Sequence, residues 1–252
     1  MRIAEIFHSI QGEGRLTGTE SIFVRTSGCN LRCRYCDTPY ASWTPEGEQL
    51  SVAEVLQRID QSRRAEPPPR LADFSAATGS AGAASGDVRH VVLTGGEPML
   101  FAELIPLTAS LHAAGWHITI ETSGTLYLPV ACDLMSISPK LSNSTPTPQS
   151  DPQWRLRHTL HRHAPEIIRR LTAEFDCQLK FVVDRPEDCH EVEAYLAEFA
   201  EIPASRIMLM PQGADAETLA DKSAWLEPYC RQRGFHFCPR RQIEWFGAER
   251  GT

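Results

Sequence analysis

Long hydrophobic runs are missing from this chain. No stretch of about 18 consecutive apolar residues occurs, so the sequence offers no transmembrane helix and no membrane partner is expected. The opening MRIAEIFHSIQGEG has no basic region leading into an apolar one, so it does not read as a secretory signal, and a cytoplasmic protein is expected. Surplus positive charge is missing too. Against 32 Asp plus Glu stand 25 Lys plus Arg, a net charge of −7 over 252 residues, which argues against a nucleic-acid-binding face. Eight cysteines are too few for a disulfide scaffold, which would be shorter and richer in them. Five of the eight (Cys132, Cys177, Cys189, Cys230, Cys238) have no short pair spacing and are expected to fill the core. With 42% hydrophobic and 23% charged residues, the chain is globular, and its length allows one or two domains.

Strand-like and helix-like patterns alternate. Apolar, β-branched runs at 22–25, 88–94, 117–121, 134–138, 178–184 and 207–211 predict strands. Between them lie amphipathic segments. Val52, Val55, Leu56 and Ile59 follow an i, i+3, i+4, i+7 pattern behind Ser51 as N-cap. Leu104, Leu107 and Leu111 stop at Gly115; Val192, Leu196 and Phe199 follow Pro186; a fourth helix is expected over 219–233 before Gly234. This alternation predicts a mostly parallel sheet flanked by helices, with working residues at the C-terminal strand ends. Two stretches interrupt it. Residues 65–87 are rich in Pro, Ala, Gly and Ser and read as a flexible insertion within a single domain spanning 1–252. Residues 143–165 are polar and Pro-interrupted, with His158, His161 and His163, and read as a solvated surface insertion rather than a metal site.

The remaining three cysteines form a C-x3-C-x2-C loop: Cys29, Cys33 and Cys36, after the first predicted strand. A structural zinc site wants four ligands, usually as two pairs; a fully ligated iron–sulfur cluster also wants four thiolates. Three thiolates leave a 4Fe–4S cluster with one iron open to an outside ligand. A zinc site completed by a distant side chain, making the protein an interaction module, is the alternative of a different class. A second motif ends the strand at 91–94 in Gly95-Gly96-Glu97-Pro98. Its glycines let a backbone approach a ligand closely, and its carbonyls and the Glu97 carboxylate are acceptors suited to an ammonium group.

The two motifs together resemble the radical S-adenosylmethionine superfamily, in which the open iron is chelated by S-adenosylmethionine and reductive cleavage yields a 5′-deoxyadenosyl radical. The resemblance narrows to the 7-carboxy-7-deazaguanine synthase family through residues 5–14 (EIFHSIQGEG), Phe23-Val24-Arg25, Cys36-Asp37-Thr38, Glu121-Thr122-Ser123-Gly124, Ser138-Pro139-Lys140, Gln178-Leu179-Lys180-Phe181, Met210-Pro211-Gln212-Gly213 and Pro239-Arg240-Arg241. It implies an α/β fold, a partial (incomplete) parallel β/α barrel. It implies a lyase that converts 6-carboxy-5,6,7,8-tetrahydropterin to 7-carboxy-7-deazaguanine by radical ring contraction with loss of ammonia, in queuosine-type biosynthesis. It further implies a 4Fe–4S cluster, S-adenosylmethionine, Mg2+, a homodimer and an electron donor such as flavodoxin or ferredoxin. A related activase acting on a protein substrate is the nearer alternative; the QGEG opening and Arg25 favour a small anionic heterocycle.

By the same resemblance, Cys29, Cys33 and Cys36 hold the cluster and Thr38 is a magnesium ligand. Tyr35, Cys36, Asp37, Gly96, Glu97, Ser138, Pro139, Lys140 and Gln178 meet S-adenosylmethionine. Ile10, Gln11, Gly12, Arg25, Thr94 and Pro211 meet substrate, Arg25 through a bidentate bond to its carboxylate. Glu13 is expected to accept from the pterin N–H groups, and Glu121 is a weaker catalytic candidate. In members that end at the proline matching Pro211, the terminal carboxylate lies in the site. This chain runs on to Thr252, so Pro211 is expected to act through its main chain or ring, and the tail through Trp245 and Phe246 to pack over the barrel or at a dimer interface.

Overall fold

Each strand of the sheet sorts its side chains by parity, and that sorting separates core from cavity. The computed structural model describes residues 1–65, 88–149, 151–247 and 249–251; all but Ala65 of the insertion expected at 65–87 lies outside the described residues. The strands are β1 (Arg2–Ile10), β2 (Glu20–Thr26), β3 (Glu48–Gln49), β4 (His90–Gly95), β5 (His117–Thr122), β6 (Leu134–Ile137), β7 (Cys177–Val183), β8 (Ile207–Pro211) and β9 (His236–Phe237). They form one sheet in the order β3-β1-β2-β4-β5-β6-β7-β8-β9. From β2 to β9 every pairing is parallel, whereas β1 runs antiparallel to both β2 and β3. Among the described residues the sheet stays open between β3 and β9, an incomplete barrel as expected.

The helices are α1 (Pro39–Ser42), α2 (Val52–Arg64), α3 (Leu104–Ala113), α4 (Pro152–His161), α5 (Pro165–Glu174), α6 (Pro186–Ala197), α7 (Ala216–Arg233) and α8 (Arg241–Phe246). Ser51 begins α2 through a reciprocal capping box with Glu54, an arrangement that stabilises a helix by about 1 kcal/mol. Val55 and Ile59 of α2 are fully buried, as the spacing predicts. Outward-facing strand residues such as Val24, Leu93, Ile120, Ile137, Leu179 and Leu209 join one apolar core with Leu104, Leu107, Val192 and Leu226 of the helices. Residues of the opposite parity face inward and are mostly polar: Ser21 and Arg25 on β2, His90 and Thr94 on β4, Thr119 and Glu121 on β5. At the lower end of this inner face, His90 bonds through one ring nitrogen to Ser21 Oγ (2.7 Å) and through the other to Thr119 Oγ1 (2.8 Å), fastening β2, β4 and β5 together.

The structure departs from the sequence expectation most at β1 and at 143–165. β1 carries no clear strand pattern: its burial is mixed along both faces, because its pairing with β2 rather than a repeated apolar pattern keeps it in the sheet. The segment 143–165 is not simply solvated. It contains a 3-10 turn over Ser142–Ser144 and helix α4, with Ser144 and His158 fully buried. Both ring nitrogens of His158 are engaged, Nδ1 accepting from Arg32 N (3.1 Å) and Nε2 bonding Ser144 Oγ (2.8 Å). Among the described residues, no helix is long and apolar enough to cross a membrane.

Candidate active site

The cysteine loop connects β2 to α1 and is held on every side by backbone bonds. Gly28 N donates to Ala41 O (2.7 Å) and Glu97 N to Gly28 O (2.8 Å). Gly96 packs so close that a Cβ there would sit 2.1 Å from Gly28 O, so only glycine lets the end of β4 support this loop. From the other side, Arg34 N donates to Ser144 O (2.9 Å), and the Tyr35 hydroxyl donates to Asn143 Oδ1 (2.9 Å). Cys29, Cys33 and Cys36 are free, half-buried thiols that all border one cavity. Burial pushes the Cys29 thiol up to about 12, helped by the Glu97 charge, and Cys33 up to about 11 against the pull of Lys140. An unliganded thiolate is thus disfavoured here, whereas coordination to iron would deprotonate it. Polar groups already meet the sulfurs: Leu31 N donates to Cys29 Sγ at 3.4 Å, and Ser42 Oγ lies 3.0 Å from Cys36 Sγ. Three free thiols on one loop border one cavity, and cysteine thiolates are the ligands an iron–sulfur cluster takes. The donor set therefore fits a cluster.

The cavity measures about 690 Å³ and opens at the C-terminal ends of the parallel strands, where a sheet of this kind leaves side chains free of the ladder. Arg25 and Thr94 are register partners on β2 and β4, and Glu121 follows on β5. Glu121 accepts from Gln11 Nε2 (3.1 Å) and from the Thr94 hydroxyl (2.9 Å), so three expected site residues form one polar wall. Arg25 donates through Nε to Glu5 (2.6 Å), which also accepts from the Tyr40 hydroxyl (2.8 Å) and from Arg250 (3.2 Å). Burial alone would raise the Glu5 carboxyl; bonds from Tyr40 and Arg25 hold it below its usual value. Ile10, Gly12, Tyr35, Asp37, Thr38, Gly96, Ser138 and Lys140 also border the cavity. Lys140 Nζ donates to Ser138 Oγ (2.7 Å). Thr38 occupies the N-cap position of α1, but its hydroxyl makes no capping bond.

Several expected site residues lie off the cavity lining or have partners within the protein. Glu97 does not border the cavity. Its carboxylate is fully buried and accepts from Met99 N, the Thr122 hydroxyl, and the amide and hydroxyl of Ser123. Gln178 shares the inner face of β7 with Lys180 but does not border the cavity; it donates to Ser136 Oγ and accepts from Arg15 N, fastening the loop after β1. Pro139 and Pro211 are buried outside the cavity lining. Glu13 borders the cavity, with its carboxylate already paired within the protein. One carboxylate oxygen pairs with Lys180, the other with Arg240 (3.4 Å) and Gln242 (2.5 Å). Burial opposes its charge, yet the two cations win and hold the carboxyl at about 2.

Lys180 and Arg240 were missed as functional residues. Arg240, only 6% exposed, also donates to Asp37 Oδ2 (2.7 Å) and to Gly213 O (2.5 Å). It thereby ties the residue after the last cluster cysteine to the tail. The tail continues into α8 over the cavity mouth: Arg241 N donates to Gly12 O (3.1 Å), and a Cβ on Gly12 would overlap Gln242. Both motifs were visible in sequence, but nothing in it pairs Glu13 with residues more than 160 positions away.

An open parallel barrel carrying three cluster-competent cysteines at its mouth defines a radical S-adenosylmethionine enzyme, and the model of that superfamily matches residues 23–138. The 7-carboxy-7-deazaguanine synthase of Rhodopirellula baltica is 43% identical over 99% of this chain and 88% of its own length; that of Halobacterium salinarum is 37% identical over 96% and 88%. The crystal structure of QueE from Escherichia coli superposes with a TM-score of 0.60 at 25% identity, covering 95% of this chain and 93% of that one. The chain belongs to the 7-carboxy-7-deazaguanine synthase family.

Proposed function

We propose that the cavity binds 6-carboxy-5,6,7,8-tetrahydropterin beside S-adenosylmethionine and converts it to 7-carboxy-7-deazaguanine with loss of ammonia. The observation that carries this reading is the polar wall of Gln11, Thr94 and Glu121 beside Arg25, bordering the same cavity as the three cysteine thiols. When bound, the cluster supplies the electron that cleaves S-adenosylmethionine and so begins radical chemistry. The chain's own residues bind and orient. Arg25, with Nε committed to Glu5, presents the remainder of its guanidinium to a substrate carboxylate. Glu121 receives N–H groups of the heterocycle while Gln11 and Thr94 hold its carboxylate in place. Lys140 offers a cation to the carboxylate of S-adenosylmethionine. Thr38, whose hydroxyl is uncommitted to the helix it precedes, is the ligand for Mg2+, a hard cation that keeps its other positions for water and substrate oxygens.

The deciding experiment is anaerobic turnover of the cluster-loaded protein with S-adenosylmethionine, dithionite, Mg2+ and the carboxytetrahydropterin. A product of the mass of 7-carboxy-7-deazaguanine is expected. Cleavage of S-adenosylmethionine with substrate returned unchanged would overturn the substrate assignment.

A further inference from the structure

Helix α4 belongs to the segment that lies outside the family motifs, yet it is built onto the cysteine loop. Its inner face carries His158, bonded to Arg32 N between Cys29 and Cys33. The Arg32 guanidinium lies 3.8 Å over the Trp154 ring, and Arg157 covers the same ring at 4.4 Å. The outer face is different in kind. Leu156 and Leu160, four residues apart and so neighbours on one stripe, are 63% and 66% exposed. They are flanked by exposed Arg155 and Arg157, with Arg34 of the cysteine loop also exposed. The helix contains no acidic residue; Asp151 ahead of it is spent capping Trp154 N, and Arg34 has a partner in Asp184 at 3.2 Å. A basic, apolar ridge beside the cluster loop thus stands on a chain whose net charge is −7.

We propose that this face of α4 seats an acidic one-electron carrier protein that reduces the cluster. The inference rests on the proposed function in one respect, that the cysteine loop holds a cluster needing reduction. Two exposed leucines supply the apolar centre of a small, transient interface, and the arginine rim supplies steering and orientation. A second copy of this chain fits worse, because a two-fold contact brings the same basic face together with itself, and the helix carries no acidic residue to meet those arginines. An acidic carrier meets the same arginines favourably. With α4 fastened to the backbone between two cluster ligands, a carrier seated there has a fixed position relative to the cluster. The step itself transfers one electron: the carrier's reduced flavin is oxidised by one electron, and the cluster passes from the 2+ to the 1+ state.

The test uses the cluster-loaded full chain and a reduced flavodoxin as probe, with dithionite as the small reductant that needs no docking surface. Variants Arg157→Glu and Leu156→Ser/Leu160→Ser alter exposed side chains, and iron content with circular dichroism checks their integrity. In stopped-flow mixing, the second-order rate of flavodoxin oxidation is expected to fall at least tenfold in each, while reduction by dithionite stays within twofold of wild type. The wild-type rate should also drop between low and high salt, and the Arg157→Glu rate should drop less. Unchanged flavodoxin kinetics overturn the proposal, as does a parallel loss with both reductants. So does conversion of a wild-type dimer to monomer by the leucine substitutions, which would make this face a contact between copies. Failure of the proposed function would look different: flavodoxin reduces the cluster normally, but the carboxytetrahydropterin is not converted.

Discussion

Glu13 illustrates how a residue's surroundings can replace the role its motif suggests. It sits in a Gln-Gly-Glu-Gly turn that invites a substrate contact, yet the fold encloses its carboxylate between Lys180 and Arg240. Removing one member of such a buried set strands the others without a counter-charge, which costs about 3–5 kcal/mol. Glu13→Gln is therefore expected to lower the denaturation midpoint strongly, whereas Arg241→Gln, at an exposed pair, should change it little. Equal midpoints in the two variants would remove the structural role assigned to Glu13. Thr38 makes the opposite case, since its hydroxyl has no capping duty. If it binds Mg2+, Thr38→Ala should shift magnesium dependence to higher concentration, Thr38→Ser should shift it less, and iron content should stay constant in both. A titration with substrate and S-adenosylmethionine saturating measures this; wild-type magnesium dependence in the Ala variant would retire the metal role.

Among the elements, the strands do two jobs because their faces differ. The outer faces pack on helices, and their alternating apolar residues made β2 and β4 to β8 legible within a residue or two at most ends. The inner faces carry polar side chains that pair across strands, and the Ser21–His90–Thr119 set is one layer of them. Burial, reinforced by the neighbouring His117, lowers the His90 value to about 4. The unfolded ring titrates near 6.5, so between pH 6.5 and 4 the unfolded chain binds more protons than the folded one. Stability from the neutral ring is complete above that window and is lost as the pH falls through it. Between pH 7 and pH 5 the loss should be about 2 kcal/mol. His90→Gln should flatten the fall in denaturation midpoint over that range; an unchanged slope would show that other groups dominate. The helices α2 and α7 were legible from their caps, Ser51 ahead of one and Gly234 behind the other. Helix α4 was not, because proline and polar residues mask a segment whose one buried side chain, His158, answers a backbone N–H on a distant loop.

For the whole molecule, the tail after β9 is part of the site. Arg240, Gln242, Ile243 and Arg250 all border the cavity, and Arg250 reaches Glu5 and Glu46 near the start of the chain. The tail packs over the barrel, one of the two placements expected for it. Ending the chain after Cys238 removes these contacts and frees Asp37 and half of the Glu13 set. Turnover is expected to fall at least tenfold on truncation, because small displacements of positioned groups are costly to catalysis. Iron content should persist, since no cluster cysteine is lost. Anaerobic turnover beside iron analysis measures both; a fully active truncated chain would show that the tail merely covers the barrel.

What the sequence determined by itself is local or periodic. The C-x3-C-x2-C spacing places three thiols on one loop, Gly95-Gly96 permits a close approach that any Cβ would block, and strand parity separates a helix-packed face from a cavity face. These follow from covalent reach and from which side chains prefer water. Tertiary structure alone decided which carboxylates are available. Glu97 and Glu13 look alike in sequence as motif acids, but one is consumed by Thr122 and Ser123 and the other by Lys180 and Arg240. Glu121 stays at the cavity wall with its oxygens toward Gln11 and Thr94. A charge is settled by whatever surrounds it in space, and the partners that settle these charges lie up to 227 positions apart in the chain, beyond the reach of any local pattern.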